Sequence, residues 1–201
     1  MRRSRTLIGT FMLVLGVSPL LWAQGAGSLA VTSCFPCHPG GEAAAQAQPT
    51  FPKLDGQHAA YLEKQLRDYM SGKRKSDLMA PVFGVLKKQQ IRGMAAHFAA
   101  QTPAPGAVEN PELAARGKVL YEEGNLATGV PGCVGCHLPN GVGSQRYPRL
   151  AGQRQAYSVQ QLVDFKSGTR SNDRVRVMRL VAGRLTDEEM RAVAEYLAGL
   201  K

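Results

Sequence analysis

CFPCH at residues 34–38 and CVGCH at residues 133–137 are two copies of the pattern Cys-x-x-Cys-His. This pattern is the attachment sequence for c-type haem. The two thiols add to the vinyl groups of the porphyrin, and the histidine beside the second thiol is held where its imidazole can bind the iron. The chain is therefore predicted to carry two covalently attached haem c groups. The predicted attachment residues are Cys34, Cys37 and His38 in the first copy and Cys133, Cys136 and His137 in the second.

Paired cysteines have three other common uses. Four cysteines in an exported chain can form two disulfides, and Cys-x-x-Cys pairs also occur in zinc sites and in thioredoxin-like redox motifs. A zinc site needs four ligands, and each motif offers three. Disulfides do not explain why a histidine follows both pairs, and the βαβ pattern of a thioredoxin-like domain is absent. Haem attachment explains all three residues of each motif.

The first 23 residues have the pattern of a secretory signal peptide. Arg2, Arg3 and Arg5 precede a mainly apolar stretch at residues 7–21, and Ala23 is a small residue at a suitable cleavage position. The alternative is a retained membrane anchor, for which the apolar stretch is short, because a span needs about 20 residues. We expect cleavage near Ala23 and a periplasmic protein.

The charge balance indicates the kind of partner. The formal net charge of the 201 residues is +10, and removal of the three leader arginines leaves 22 basic and 15 acidic residues. A basic surface favours fast, salt-sensitive encounters with an acidic protein or an anionic membrane surface. Nucleic acid is not expected as a partner of an exported haem protein with scattered arginines. We expect a monomer.

The two halves of the chain are repeats. PKLDGQHAAYLEKQLRDYMSGKR at residues 52–74 aligns with PRLAGQRQAYSVQQLVDFKSGTR at residues 148–170. QTPAPGAVENPE at residues 101–112 is rich in helix-breaking residues and is predicted to be the linker. The predicted domains are residues 24–104 and 105–201, with one haem in each.

Apolar periodicity predicts an all-α protein. Helices are expected at residues 57–70 and 153–166, at 87–100 and 186–200, and at 111–123, where Pro111 begins the helix and Gly124 ends it. Thr186 followed by Glu189 predicts a capping box. No stretch shows the alternation of a β-strand.

Comparison of the repeats also identifies a candidate for the sixth iron ligand. Met79 and Met178 each lie 41 positions after the motif histidine and seven before a leucine that precedes the last helix of its half. Their polar flanking residues suggest irregular ligand loops rather than core packing. Methionines that are unmatched in the other half are interpreted as packing or surface residues: Met70, Met94 and Met190. His58 is predicted to lie on the surface of a helix, and His97 at a packing position.

The predicted ligand pairs are His38 with Met79 and His137 with Met178. A soft thioether ligand favours Fe(II) and raises the reduction potential, and a filled coordination sphere leaves no position for oxygen or peroxide. The chemistry then reduces to accepting and passing on single electrons. The chain shows no Ser-His-Asp pattern, phosphate loop or paired carboxylates, so no enzyme is expected.

With these features the chain resembles the dihaem cytochrome c4 family. The resemblance rests on both Cys-x-x-Cys-His motifs, the two P-x-L-x-G-Q-x-x-x-Y elements and the stretch YEEGNLATGVPGCVGCH at residues 121–137. It implies two class I cytochrome c domains related by a pseudo-twofold axis, each wrapped around one covalently bound haem. It also implies that the carbonyl groups of Pro52 and Pro148 bind the motif imidazoles, and that Arg74 and Arg170 lie near haem propionates. The chain departs from the family at Leu138, where glycine is common.

Three functions are compatible with two covalently attached haems. The first is an electron carrier from a quinol-oxidising cytochrome bc complex to a terminal oxidase, with possible association with the membrane surface. The second is the electron-accepting subunit of a periplasmic dehydrogenase that oxidises sulfide, thiosulfate or an alcohol. The third is a dihaem peroxidase, which the paired methionines disfavour because it needs an exchangeable coordination position.

Overall fold

The computed structural model of the chain describes residues 31–201, without the side chains of Glu42, Ala45 and Gln46. The predicted signal peptide and its cleavage position near Ala23 lie outside the described residues.

The described residues form an α-helical structure, in agreement with the predicted class. In chain order the α-helices are α1 (Ala59–Met70), α2 (Ala80–Val85), α3 (Ile91–Ala99), α4 (Pro111–Glu123), α5 (Val134–His137), α6 (Gln155–Ser167), α7 (Val177–Ala182) and α8 (Asp187–Gly199). Short 3₁₀ helices occur at Gly41–Gln46, Lys88–Gln90, Pro139–Gly141 and Arg174–Arg176. Two strands of two residues each, β1 (Gly124–Asn125) and β2 (Val130–Pro131), pair in antiparallel fashion.

The capping signals in the sequence set the ends of the helices in the second half. The Asn110 side chain accepts a hydrogen bond from the Leu113 amide at 2.9 Å at the start of α4. At the start of α8, the Thr186 hydroxyl accepts from the Glu189 amide at 3.1 Å, and the Glu189 carboxylate accepts from the Thr186 amide at 2.7 Å. The predicted capping box is therefore confirmed.

Some boundaries differ from the prediction. Helices α1 and α6 each begin two residues later than expected, because the side chains of Gln57 and Gln153 bind the backbone of the opposite half instead of entering a helix. The last helix of the first half begins at Ile91, after a 3₁₀ turn. The β1–β2 pair was not predicted, because two residues are too few to show an alternating pattern.

Each half has its own hydrophobic core. Buried apolar side chains of the first half are Val31, Leu62, Met94, Ala95 and Phe98. Those of the second half are Leu120, Tyr121, Val130, Leu185, Met190, Val193 and Leu197. Two separate cores agree with the repeat, while the boundary between residues 104 and 105 stays a prediction.

Helices α4 and α8 pack closely where they cross. A Cβ atom added at Gly117 would lie 1.9 Å from the carbonyl oxygen of Ala192. Only glycine therefore allows this approach, which brings the rings of Tyr121 and Tyr196 to 5.5 Å between centroids. Both crossing helices contribute side chains to the core of the second half.

No helix among residues 31–201 is long and apolar enough to cross a membrane.

Candidate haem sites

The two motif histidines are held in the same way. The imidazole Nδ1 of His38 donates to the carbonyl oxygen of Pro52 at 2.9 Å, and that of His137 donates to the carbonyl oxygen of Pro148 at 3.1 Å. Both prolines therefore have the role that the resemblance implied. Because Nδ1 carries the proton, Nε2 keeps the lone pair that iron needs.

Burial disfavours the charged form of both imidazoles. His38 is 9% exposed and His137 is 6% exposed. Desolvation lowers the pKa of both rings, and the hydrogen bonds to the proline carbonyls oppose this only in part. A neutral imidazole is the form that binds a metal, so both sites are prepared for ligation.

The backbone of each motif turns like the start of a helix. The His38 amide donates to the Cys34 carbonyl at 2.8 Å, and the His137 amide donates to the Cys133 carbonyl at 2.9 Å. This turn places the cysteines and the histidine of each motif close together. None of the four cysteines, all within the described residues, forms a disulfide. In residues 31–201 no group of three or more His, Cys, Asp or Glu is arranged to hold a metal ion.

The motifs of both halves border one continuous cavity of about 520 Å³. Much of its wall is aliphatic or aromatic, which suits a porphyrin. Apolar residues of this wall are Leu54, Leu62, Met94, Phe98, Leu150, Leu162, Val181, Leu185 and Leu197. His38 and His137 both line the cavity, so the two predicted sites lie on either side of the contact between the halves.

Met79 and Met178 also line this cavity, and both are half-buried. Met79 lies in a turn immediately before α2, as expected of a loop residue, whereas the expectation of an irregular loop is wrong for Met178, which is the second residue of α7. The start of α7 is anchored by Asp173, whose carboxylate accepts from Arg179 Nε at 2.7 Å and from the Arg179 amide at 3.1 Å.

The methionines and histidines excluded as ligands have other surroundings. Met94 and Met190 are 2% and 0% exposed and pack in the two cores, as predicted. His58 does not lie on a helix surface, so that prediction is wrong. Its Nε2 hydrogen-bonds the Val142 carbonyl at 2.9 Å, across the contact between the halves.

Two glutamines at equivalent repeat positions join the halves reciprocally. The Gln57 side chain donates to the Arg149 carbonyl and accepts from the Arg149 amide, both at 2.9 Å. The Gln153 side chain donates to the Lys53 carbonyl at 3.0 Å and accepts from the Lys53 amide at 2.9 Å. Each glutamine thus completes the backbone hydrogen bonds of the residue that follows the histidine-binding proline of the other half.

A second set of repeat-related residues forms what we call the interdomain arginine cluster. Its members are Tyr61, Gln65 and Arg74 of the first half and Tyr157, Gln161 and Arg170 of the second. Arg74 donates to Gln65 at 2.7 Å, Gln161 at 2.8 Å and Tyr157 at 3.3 Å. Arg170 donates to Gln161 at 2.7 Å, Tyr61 at 3.0 Å and Gln65 at 3.1 Å.

Sequence analysis did not recognise the cluster or the glutamine pairs. All of their side chains occupy positions that are identical in the two repeats, although they are polar. The recurrence of these polar residues in both halves could have indicated a shared polar contact.

Leu138, where the chain departs from the family pattern, has a strained backbone conformation. Its φ is +63° and its ψ is 165°, a region that is essentially restricted to glycine. The Tyr121 hydroxyl donates to the Leu138 carbonyl at 2.6 Å and holds this conformation beside His137. The strained residue therefore lies directly beside a proposed iron ligand.

One buried polar atom supports the haem interpretation independently. Arg149 Nε is buried without a hydrogen-bond partner in the described part of the chain, and the Arg149 side chain lines the cavity. Burial lowers the pKa of this guanidinium. The propionates of a haem are carboxylates, which satisfy such a donor. Imidazoles, thiols, apolar walls and this donor together fit a haem.

Comparisons with known proteins agree with this fit. The family model for cytochrome c matches residues 114–201. Cytochrome c4 of Pseudomonas aeruginosa is 38% identical, over 96% of this chain and 98% of its own length. A thiosulfate dehydrogenase electron acceptor of Stutzerimonas stutzeri is 37% identical, over 90% of this chain and 84% of its own length. The crystal structure of reduced cytochrome c4 from Pseudomonas stutzeri superposes with a TM-score of 0.81 at 37% identity, over 88% of this chain and 97% of that one.

Proposed function

The chain belongs to the cytochrome c4 family, and we propose that it passes single electrons between periplasmic redox partners through two haems with His/Met ligation. Haem c supplies the one-electron iron couple. The observation that carries the proposal is the pair of equivalent motifs, each with an imidazole oriented by a proline carbonyl, that border one shared cavity.

We assign His38 and Met79 to the first iron and His137 and Met178 to the second. The support is that all four side chains line the cavity and that the two methionines share a repeat position. With these four side chains as ligands, neither iron would have an open position for peroxide. The assignment therefore favours outer-sphere electron transfer over the peroxidase alternative.

Substitution of the methionines tests this assignment. Met79→Ala or Met178→Ala should lower the potential of that haem and allow it to bind carbon monoxide, because the thioether is removed. Potentiometric titration and carbon monoxide difference spectra of the purified holoproteins measure both effects. Met70→Ala is the control, since Met70 is half-buried in α1 and does not line the cavity. If neither ligand variant binds carbon monoxide more readily than the parent, the assignment is wrong.

Two pairs of partners agree with the structure. In the first, a quinol-oxidising cytochrome bc complex donates electrons and a terminal oxidase accepts them. In the second, the protein accepts electrons from a periplasmic dehydrogenase, which the similarity to a thiosulfate dehydrogenase electron acceptor supports equally. Exposed cations close to the two methionines, Lys73 and Lys75 in one half and Arg174 and Arg176 in the other, favour an acidic docking surface on either partner.

Oxidation by membranes distinguishes the two pairs. Reduced holoprotein is mixed with oxygenated membranes of the source organism, with and without cyanide, and the haem bands are followed. Rapid cyanide-sensitive oxidation of both haems supports donation to a terminal oxidase. Stable reduced haems that remain oxidisable by ferricyanide point instead to the acceptor of a dehydrogenase, which reduction by thiosulfate in the presence of periplasmic extract then tests.

We further propose a periplasmic monomer of two domains, residues 24–104 and 105–201, after cleavage near Ala23. The two separate cores support the division. Between α3 and α4 the chain runs without a helix and is attached to the second half. There the Glu195 carboxylate accepts hydrogen bonds from the amides of Glu109 and Asn110, the latter at 2.8 Å.

A further inference from the structure

We infer that the interdomain arginine cluster sets the reduction potentials of both haems jointly, so that a change of charge in one half shifts the potential of the haem in the other. The inference rests on the proposed placement of one haem in each half. It assigns a function to six buried or half-buried side chains that neither attach a haem nor ligate an iron.

The two guanidinium groups are held as one unit. Gln65 Oε1 accepts from Arg74 at 2.7 Å and from Arg170 at 3.1 Å, and Gln161 Oε1 accepts from the same two arginines at 2.8 Å and 2.7 Å. Because each oxygen bridges both cations, their bonded nitrogens are no more than about 6 Å apart. The charge of either arginine is therefore located between the halves rather than within its own half.

The described residues leave these two charges uncompensated. Arg74 is 8% exposed and Arg170 is 7% exposed, and their hydrogen-bond acceptors are neutral amide and hydroxyl oxygens. Neither forms an ion pair with a carboxylate in residues 31–201. Two acids join the hydrogen-bond network without touching either guanidinium: Asp68 is bound to Lys64 and Asn172, and Asp164 accepts from Gln161 at 3.4 Å. Two like charges held this close together in a poorly solvated region produce a strong local field.

This field acts on the cavity that both haem sites share. All six members of the cluster line that cavity. Each guanidinium also stacks on a ring of its own half, Arg74 on Tyr69 at 4.7 Å and Arg170 on Phe165 at 4.5 Å, so its position is fixed. A fixed positive charge in a poorly solvated region favours the reduced, less positive iron. Both arginine charges therefore contribute to raising the reduction potential of each haem.

Gln65→Glu and Gln161→Glu are the most direct tests. Each keeps the shape of the side chain and places a carboxylate between the two cations, which hold it ionised. Redox titration of each holoprotein, with the two haems resolved by the NMR signals of their methyl groups, should show both potentials lowered by either variant. Arg170→Gln should also lower both potentials, whereas Arg170→Lys, which keeps the charge, should leave them close to those of the parent.

Two controls separate the charge of the cluster from changes elsewhere. Gln101→Glu makes the same charge change at an exposed position outside the cavity, and Gln155→Ala removes an exposed hydrogen bond to the Ala107 carbonyl without changing charge; neither should shift the potentials. The inference is overturned if either glutamate variant shifts only the haem of its own half, or neither haem. A parent protein without two haems and two reversible one-electron steps contradicts the proposed function instead, so the two failures are distinguishable.

Discussion

The glutamine pairs allow a quantitative prediction for the contact between the two halves. In the Gln153→Ala variant, Lys53 loses the partners of both its amide and its carbonyl group, which bind the Gln153 side chain at 2.9 and 3.0 Å. Gln153 is only 8% exposed. A hydrogen bond contributes about 1 kcal/mol, and a buried group left without a partner costs about 1–3 kcal/mol. Since Lys53 is half-buried and water can reach it, we expect a loss of about 2 kcal/mol.

A loss of this size corresponds to a factor of about 30 in the equilibrium constant for separating the halves. Denaturant unfolding of the holoprotein measures the free energy, and limited proteolysis between α3 and α4 measures the opening of the contact. Gln155→Ala is the matched control, because Gln155 makes one exposed hydrogen bond to the Ala107 carbonyl at 2.9 Å and should cost about 0.5 kcal/mol. Equal free energies of unfolding for the two variants would refute the reasoning.

Two further predictions concern the second half. Gly117→Ala should lower the unfolding free energy by about 2 kcal/mol, because the added Cβ would meet the backbone of Ala192. Gly84→Ala, where the added Cβ enters open space, is the control and should not lower it. Thermal melts compare the two variants, and equal melting temperatures would contradict the close approach. Burial raises the pKa of Tyr121 to about 12 from 10.0, so folding stability should be fully present below pH 10 and decline as the pH rises toward 12. Tyr121→Phe should remove that part of the alkaline loss in unfolding titrations, and an unchanged pH dependence would show that other groups cause it.

Local sequence signals were sufficient for most of the helical structure. Thr186 with Glu189 marks a helix start through hydrogen bonds within one turn, and Pro111 marks another through its fixed φ, so no distant residue is needed to predict either start. Errors occurred where distant residues compete for the same groups. Helix α1 begins at Ala59 rather than at residue 57, because the Gln57 side chain binds Arg149, 92 residues away.

In the candidate haem sites, too, the sequence predicts what depends on nearby or repeated residues and misses what depends on distant contacts. Each motif supplies cysteines and histidine within five residues, and the repeat singles out Met79 and Met178 by their equal spacing from it. The sequence does not show that Leu138 has a positive φ, because a leucine elsewhere adopts ordinary backbone angles, whereas here the Tyr121 hydroxyl binds its carbonyl from 17 residues away. It also does not show that Met178 belongs to a helix rather than to a loop.

By itself, the sequence determined the haem chemistry, the duplication and the helical class, because attachment motifs, repeats and periodicity depend on residues that are near one another in the chain or related by a constant offset. Only the tertiary structure decided how the two halves meet. Arg74 and Arg170 are 96 positions apart, yet they share the same two glutamine acceptors. Their proximity follows from the packing of one half on the other, and two cations placed so close together are what couples the two predicted haem sites electrostatically.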